Sequence, residues 1–185
     1  MDDFARTVIG YHGCSVAQAN RLISGEQPIS AWSPSRNAYD WLGHGIYFWE
    51  YGPERAREWS FQNGRDGGVV GAIIQLGRCL DLTDTRSTAF LAEVYESVRL
   101  AYSSRGIPLP MNRTLRNELD CLMINAATEL NEGRVHPEDF QTVRCPFLEG
   151  EPVYEGSMIL RRSHIQLAVV DTRCILGVFR PNHAF

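Results

Sequence analysis

The chain has 185 residues, 44% of them hydrophobic, with 18 Lys and Arg against 22 Asp and Glu and a formal net charge of −4. That size and apolar content are enough to bury a core in one domain spanning residues 1–185, and the acidic balance excludes a broadly basic, nucleic-acid-coating surface. The start Met1-Asp2-Asp3-Phe4-Ala5-Arg6 has neither the basic residues nor the apolar run of a targeting segment, and no stretch is apolar over a membrane-spanning length, so a cytoplasmic protein with no membrane partner is expected.

Thr7-Val8-Ile9-Gly10-Tyr11 is a β-rich run that ends at His12-Gly13. A helix should follow: Ser15 and Gln18 have capping-box spacing, Ala19, Leu22 and Ile23 share a face, and Gly25 is the stop. From Ser24 to Asp40, Pro28, Ser33, Pro34, Ser35 and Asn37 interrupt any periodicity, so this is a loop with Trp32 and Trp41 packed beneath it and Arg36 on its surface.

Next, Leu42-Gly43-His44-Gly45-Ile46-Tyr47-Phe48-Trp49-Glu50 sets an aromatic strand directly after two glycines, residues that tolerate positive φ and let a ligand approach the backbone. Tyr47 alternates with Ile46 and Phe48, so its ring points to the opposite face. Pro53 and Glu54 suit the first turn of another helix, on which Ala56 and Trp59 share a side.

Val69–Leu76 is a nearly continuous apolar strand, expected in the middle of a sheet. Phe90, Leu91, Val94, Val98 and Ala101 mark one amphipathic helix, closed by Gly106; Leu115, Leu119, Leu122, Met123, Ala126 and Leu130 mark a second, closed by Gly133. The pair forms a helical insertion, in which Asp120 and Asn125 are expected to make interhelix or loop hydrogen bonds. Residues 134–163 read as mixed and mostly loop, carrying Glu149, Glu151 and Glu155. His164–Asp171 is a strand, expected to pair with Cys174–Phe179 after a short turn, with His164, Gln166 and Ala168 on one face. The five cysteines are scattered without a close pair that begins a zinc site and read as reduced thiols; no metal is implied.

Gly10-Tyr11-His12-Gly13-Cys14-Ser15 and Gly45-Ile46-Tyr47-Phe48 together resemble the first two nicotinamide-pocket motifs of the ADP-ribosyltransferase superfamily, in its diphtheria-toxin-like and poly(ADP-ribose)-polymerase-like branch. The resemblance implies an α+β fold of two small, mostly antiparallel sheets framing an NAD cleft, with the helical insertion packed outside. It also implies roles: His12 hydrogen-bonds the ribose next to nicotinamide, Gly13 offers its backbone to the carboxamide, Gly45 opens the second motif and Tyr47 stacks on the nicotinamide ring. Trp59 is the nearest second aromatic. Cys14 stands where the family commonly has Ser or Thr, a better hydrogen-bond partner.

The family's third motif is a Glu near the start of the last catalytic strand, and here that position is Gln166. A carboxylate there stabilises an oxocarbenium-like centre, whereas an amide accepts a hydroxyl but brings no charge and cannot act as a base. Glu155, in the loop leading into the strand, is the first substitute, and Glu50 the second. Family members without the Glu generally transfer a single ADP-ribose. The resemblance thus implies a mono-ADP-ribosyltransferase using NAD as substrate, similar to intracellular toxins of toxin–antitoxin or phage-defence systems, for which a neutralising antitoxin protein is a further partner. Its acceptor is a macromolecule. Arg134, Arg144, Arg161 and Arg162 around the acceptor loop tilt that choice slightly from protein toward nucleic acid. Two alternatives stay open: an NAD-binding or ADP-ribose-binding pseudoenzyme, and an NAD glycohydrolase.

Overall fold

Short-range signals set the first third of the fold. The structure, a computed structural model, describes residues 4–62, 66–114, 116–129 and 140–182. Strand β1 (Phe4–Cys14) turns at Ser15 into helix α1 (Val16–Ser24). The Ser15 hydroxyl accepts the Gln18 N–H at 3.2 Å, and Gly25 ends the helix at φ 79°, a left-handed conformation that costs a residue without Cβ nothing. A 3₁₀ turn (Ile29–Ala31) lies within the following loop, ahead of β2 (Ile46–Glu50) and α2 (Pro53–Ser60), which opens on its proline. Then come β3 (Gly68–Gly77), β4 (Cys79–Asp81), α3 (Thr85–Ser104), α4 (Glu118–Glu129), β5 (Thr142–Phe147), β6 (His164–Val169) and β7 (Ile175–Phe179). Leu115, Leu130, Gly133 and Arg134 lie outside the described residues.

The fold is α+β: among the described residues, four α-helices and one seven-stranded sheet in the order β4-β5-β6-β2-β1-β3-β7, antiparallel except between β4 and β5. The expectation of two small sheets is corrected, because the ladder is continuous. It curls, however. Only Arg78 separates β3 from β4, yet β4 pairs with β5 on the far side of the order. The Thr142 hydroxyl on β5 donates to the Leu76 carbonyl on β3 at 2.6 Å, and Arg6 on β1 reaches Asp81 on β4 at 2.9 Å across three intervening strands.

Two further expectations give way. β7 pairs with β3 at the opposite edge rather than with β6, because the 3₁₀ turn Thr172–Cys174, capped by Asp171, carries the chain across instead of closing a hairpin. No two-residue Gly or Asn turn joins the two strands to hold them together. β5 lies in the stretch expected to be mostly loop. Val143, Cys145 and Phe147 do alternate with Thr142, Arg144 and Pro146, but the run is short, holds a proline and a charge, and buries Thr142 and Arg144 on the face that alternation would leave to solvent.

One face of the curled sheet carries Val8, Phe48, Ile74, Leu76, Leu167 and Val169, packed with Leu22 of α1 and with Trp32. The other carries Leu80, Val143 and Ala168 beneath Val94, Ile124 and Ala127 of the helical insertion. Helix α2 crosses β1 so closely that a Cβ at Gly13 would overlap the Ala56 carbonyl. None of the five cysteines is in a disulfide, and burial pushes Cys79, Cys145 and Cys174 up to about 11, so these thiols stay protonated at neutral pH. No described helix is long and apolar enough to cross a membrane.

Candidate functional site

The rungs between β1 and β2 are Gly10↔Glu50 and Tyr11↔Trp49; beyond them the strands part, although β1 stays paired with β3 as far as Cys14↔Gly68. His12 sits at this opening. Its Nδ1 lies 2.8 Å from the Tyr47 carbonyl, which can only accept, so Nδ1 carries the proton. The ring stands edge-on to Trp32 at 5.0 Å and tilted to Phe48 at 5.7 Å.

Register sorts the remaining residues by face. Tyr47 is opposite Ala168, Trp49 opposite Gln166, Gln166 opposite Cys145, and His164 opposite Phe147. Tyr47, Trp49, Gln166 and His164 therefore share the face over which α2 and the helical insertion lie. Gly13 meets α2 there, and Trp59 of α2, 43% exposed, lies 5.9 Å from Trp49. Gly13, Tyr47, Trp59 and Gln166 are thus brought to one side of the sheet. His12 projects from the other side and connects through the Tyr47 carbonyl.

The Tyr47 hydroxyl accepts the Leu42 N–H at 2.8 Å and donates to the Gly43 carbonyl at 2.7 Å, and burial pushes its pKa well above the usual phenol range. The phenol thereby staples the preceding loop. Gly43, at φ 70°, lets Asn125 accept the His44 N–H at 2.8 Å, the loop hydrogen bond anticipated for that residue. Gly45 uses its N–H and carbonyl on Ser35, at 3.2 and 2.9 Å, and lies tight against Ala168.

The Gln166 amide has a defined orientation. His164 Nδ1–H donates to the Arg162 carbonyl at 2.7 Å, so in the neutral ring Nε2 accepts from the Gln166 amide nitrogen at 3.0 Å. The Gln166 Oε1 remains as an acceptor.

Among the described residues no carboxylate is hydrogen-bonded to this amide. Glu50 lies on the opposite face, paired across from Ile165, and Arg144 grips both its oxygens at 2.7 and 3.0 Å. Glu149 is tied to Arg55 on α2 at 2.7 Å. Glu155 is exposed beside Gly156, in a loop whose two legs meet at the Pro152↔Leu160 bridge. Of the arginines around the acceptor loop, Arg144 is buried in that ion pair and faces away. Arg161 binds the loop's own carbonyls at Pro152 and Val153, and Arg162 pairs with Glu58 of α2 at 2.6 Å.

Sequence reasoning passed over Trp49. It is 6% exposed, and its indole Nε1 is buried without a hydrogen-bond partner, directly across from Gln166. The period-two alternation that selected Tyr47 selects Trp49 as well. Two cavities, of about 380 and 490 Å³, flank this strip, one under the helical insertion and one between α1, α2 and Gly67–Val69; neither is lined by His12, Tyr47 or Gln166. No family model matches the chain, and neither a curated protein nor a solved structure matches it.

Proposed function

We propose that the protein is a mono-ADP-ribosyltransferase that takes ADP-ribose from NAD to a macromolecular acceptor. The observation that carries this reading is the convergence of Gly13, Tyr47, Trp59 and Gln166 on one face of the sheet where β1 and β2 part, with His12 bonded to the Tyr47 carbonyl. The curl of the sheet, which turns its halves toward each other, is compatible with an ADP-ribosyltransferase-type fold.

In this reading nicotinamide lies along the strip beside Tyr47, on the side of Trp59 away from the tight Gly13–Ala56 contact. Gln166 Oε1 accepts a hydrogen bond from a ribose hydroxyl and steadies the developing cation by its dipole alone. The bond from C1′ to the nicotinamide nitrogen breaks with its electron pair going to nicotinamide. A nucleophile of the acceptor forms the new bond at C1′ and gives up its proton. Because the amide is no base, the acceptor must already be nucleophilic or be activated by Glu155. Arg144 is internal, Arg161 holds its own loop and Arg162 is paired with Glu58, so the three described arginines no longer favour a nucleic-acid acceptor. Protein and nucleic acid therefore stand level. A role as a toxin held by an antitoxin follows from the same reading.

The uncharged Gln166, with no carboxylate bonded to it, favours one second reading: a module that holds NAD or ADP-ribose without transfer. Incubating the full chain with NAD labelled in its adenine half, with cell lysate as acceptor, separates them. Transfer predicts nicotinamide release and label that resists washing and is removed by protease or by nuclease. A binder gives affinity without release, a glycohydrolase gives release without label, and absence of NAD binding sinks all three.

A further inference from the structure

The cavity of about 380 Å³ under the helical insertion is a separate space with its own chemistry. Trp41, Leu91, Met123 and Phe147 wall it, and Tyr95 and Asp120 supply polar groups. The Trp41 and Phe147 rings, 4.1 Å between centroids and tilted 47° to each other, form an aromatic corner. Neither the Asp120 carboxylate nor the Tyr95 hydroxyl has a hydrogen-bond or ion-pair partner among the described residues; Asp120 engages Asn112 through its backbone N–H instead. Asp120 sits in the first turn of α4, where the helix dipole favours a negative charge. Its field reaches Cys145, also on the cavity wall: after burial, Asp120 is the next cause of that thiol's raised pKa.

These features narrow the occupant. A carboxylate repels phosphate and carboxylate groups and attracts N–H donors, while the Trp41–Phe147 surface suits a flat ring. Small-molecule sites run from about 300 to 1,000 Å³, so a space at the low end takes one base or nucleoside rather than a whole dinucleotide. We propose that this cavity binds a single planar heterocycle with N–H donors, a purine or cytosine base, its ring against Trp41 and Phe147 and its amino group on Asp120.

This site goes beyond the transfer reaction and stands or falls separately from it. Its position is nonetheless relevant, because Cys145 lines the cavity and is also the cross-strand neighbour of Gln166. Such a base has two sources: the adenine end of a bound NAD, or an unstacked base of a nucleic-acid strand.

The test is a fluorescence titration of the full chain with 2-aminopurine. Saturable one-to-one binding is expected, weakened at least five-fold in Asp120→Asn, which keeps the shape and removes the charge, and at least ten-fold in Trp41→Ala. If Trp41→Ala fails to fold, Trp41→Leu replaces it. Displacement of the probe by NAD assigns the site to the adenine half. Displacement by a single-stranded oligonucleotide, from protein already saturated with NAD, assigns it to a strand. No saturable binding, or equal affinity in wild type and Asp120→Asn, overturns the proposal. Nicotinamide release by the wild type is unaffected by that outcome, so failure here is distinguishable from failure of the transferase reading.

Discussion

Strands β2, β5 and β6 carry two polar groups back to back, and the two are built on opposite terms. On one face Arg144 binds Glu50 through Nε and Nη2 and Asp81 through Nη1 at 3.2 Å, with Arg6 adding to Asp81; Arg144 and Glu50 side chains are only 9% and 8% exposed. Hydrogen bonds donated to Glu50 hold the Arg144 pKa above its ordinary value against the opposing effect of burial. For Asp81, burial alone would raise the pKa, but the Thr83 hydroxyl and N–H together with Arg144 outweigh it and leave the carboxyl below its usual range. On the other face Gln166, Tyr47 and Trp49 are uncharged, with His164 bonded to the Gln166 amide. One indole N–H there is unpaired among the described residues, and the Gln166 amide nitrogen is committed to His164, which leaves its oxygen to accept. Buried charges thus satisfy one another where they hold the curled sheet together, and unsatisfied neutral groups gather where a ligand is proposed to bind.

The largest break in that comparison is Arg144→Met. It leaves Glu50 buried without its cation and Asp81 with Arg6 alone, and should cost about 3–5 kcal/mol, a Tm drop of roughly 6–20 °C for a chain of this size. The pH dependence follows from the direction of the Asp81 shift. A depressed folded-state pKa stabilises above the unfolded value and loses that stabilisation as pH falls through the folded one, so wild type should weaken below about pH 4, and the variant should lose the part due to Arg144 while keeping the part due to Thr83. A variant as stable as wild type in thermal melts at pH 7 would mean that the ion pairs do not hold the sheet closed.

Gln166→Glu tests the opposite face. It restores the charge that the resembled family carries and should speed nicotinamide release roughly 10²-fold, while thermal stability changes by less than about 1 kcal/mol because Gln166 is only half-buried. An unchanged rate in a variant that still binds NAD would favour the binding module. The smallest effect belongs to Trp49→Phe, which removes the unpaired donor while keeping an aromatic ring. If the indole N–H meets the ligand, NAD affinity falls by about 1 kcal/mol, roughly five-fold, by calorimetry. Unchanged affinity would show that the N–H is not used by NAD.

Local physics was legible in the chain itself. The Ser15 cap, the Gly25 stop, the proline opening of α2 and the interior placement of β3 all depend on neighbours within one or two turns or on a run of apolar residues. Period two likewise placed Gln166 with His164, and Tyr47 opposite Phe48, before any strand order was known. Tertiary structure alone decided that both faces of β5 are buried, because Thr142 and Arg144 are stabilised there by partners far away in sequence: Leu76, Glu50 and Asp81. It also decided that β7 joins β3, that the ladder is one curled sheet, and that Glu50 and Arg144, 94 residues apart, are committed to each other. A cap or a period is a property of adjacent residues, whereas burying a charge depends on which distant strand supplies its counter-charge, and that choice exists only once the sheet has closed.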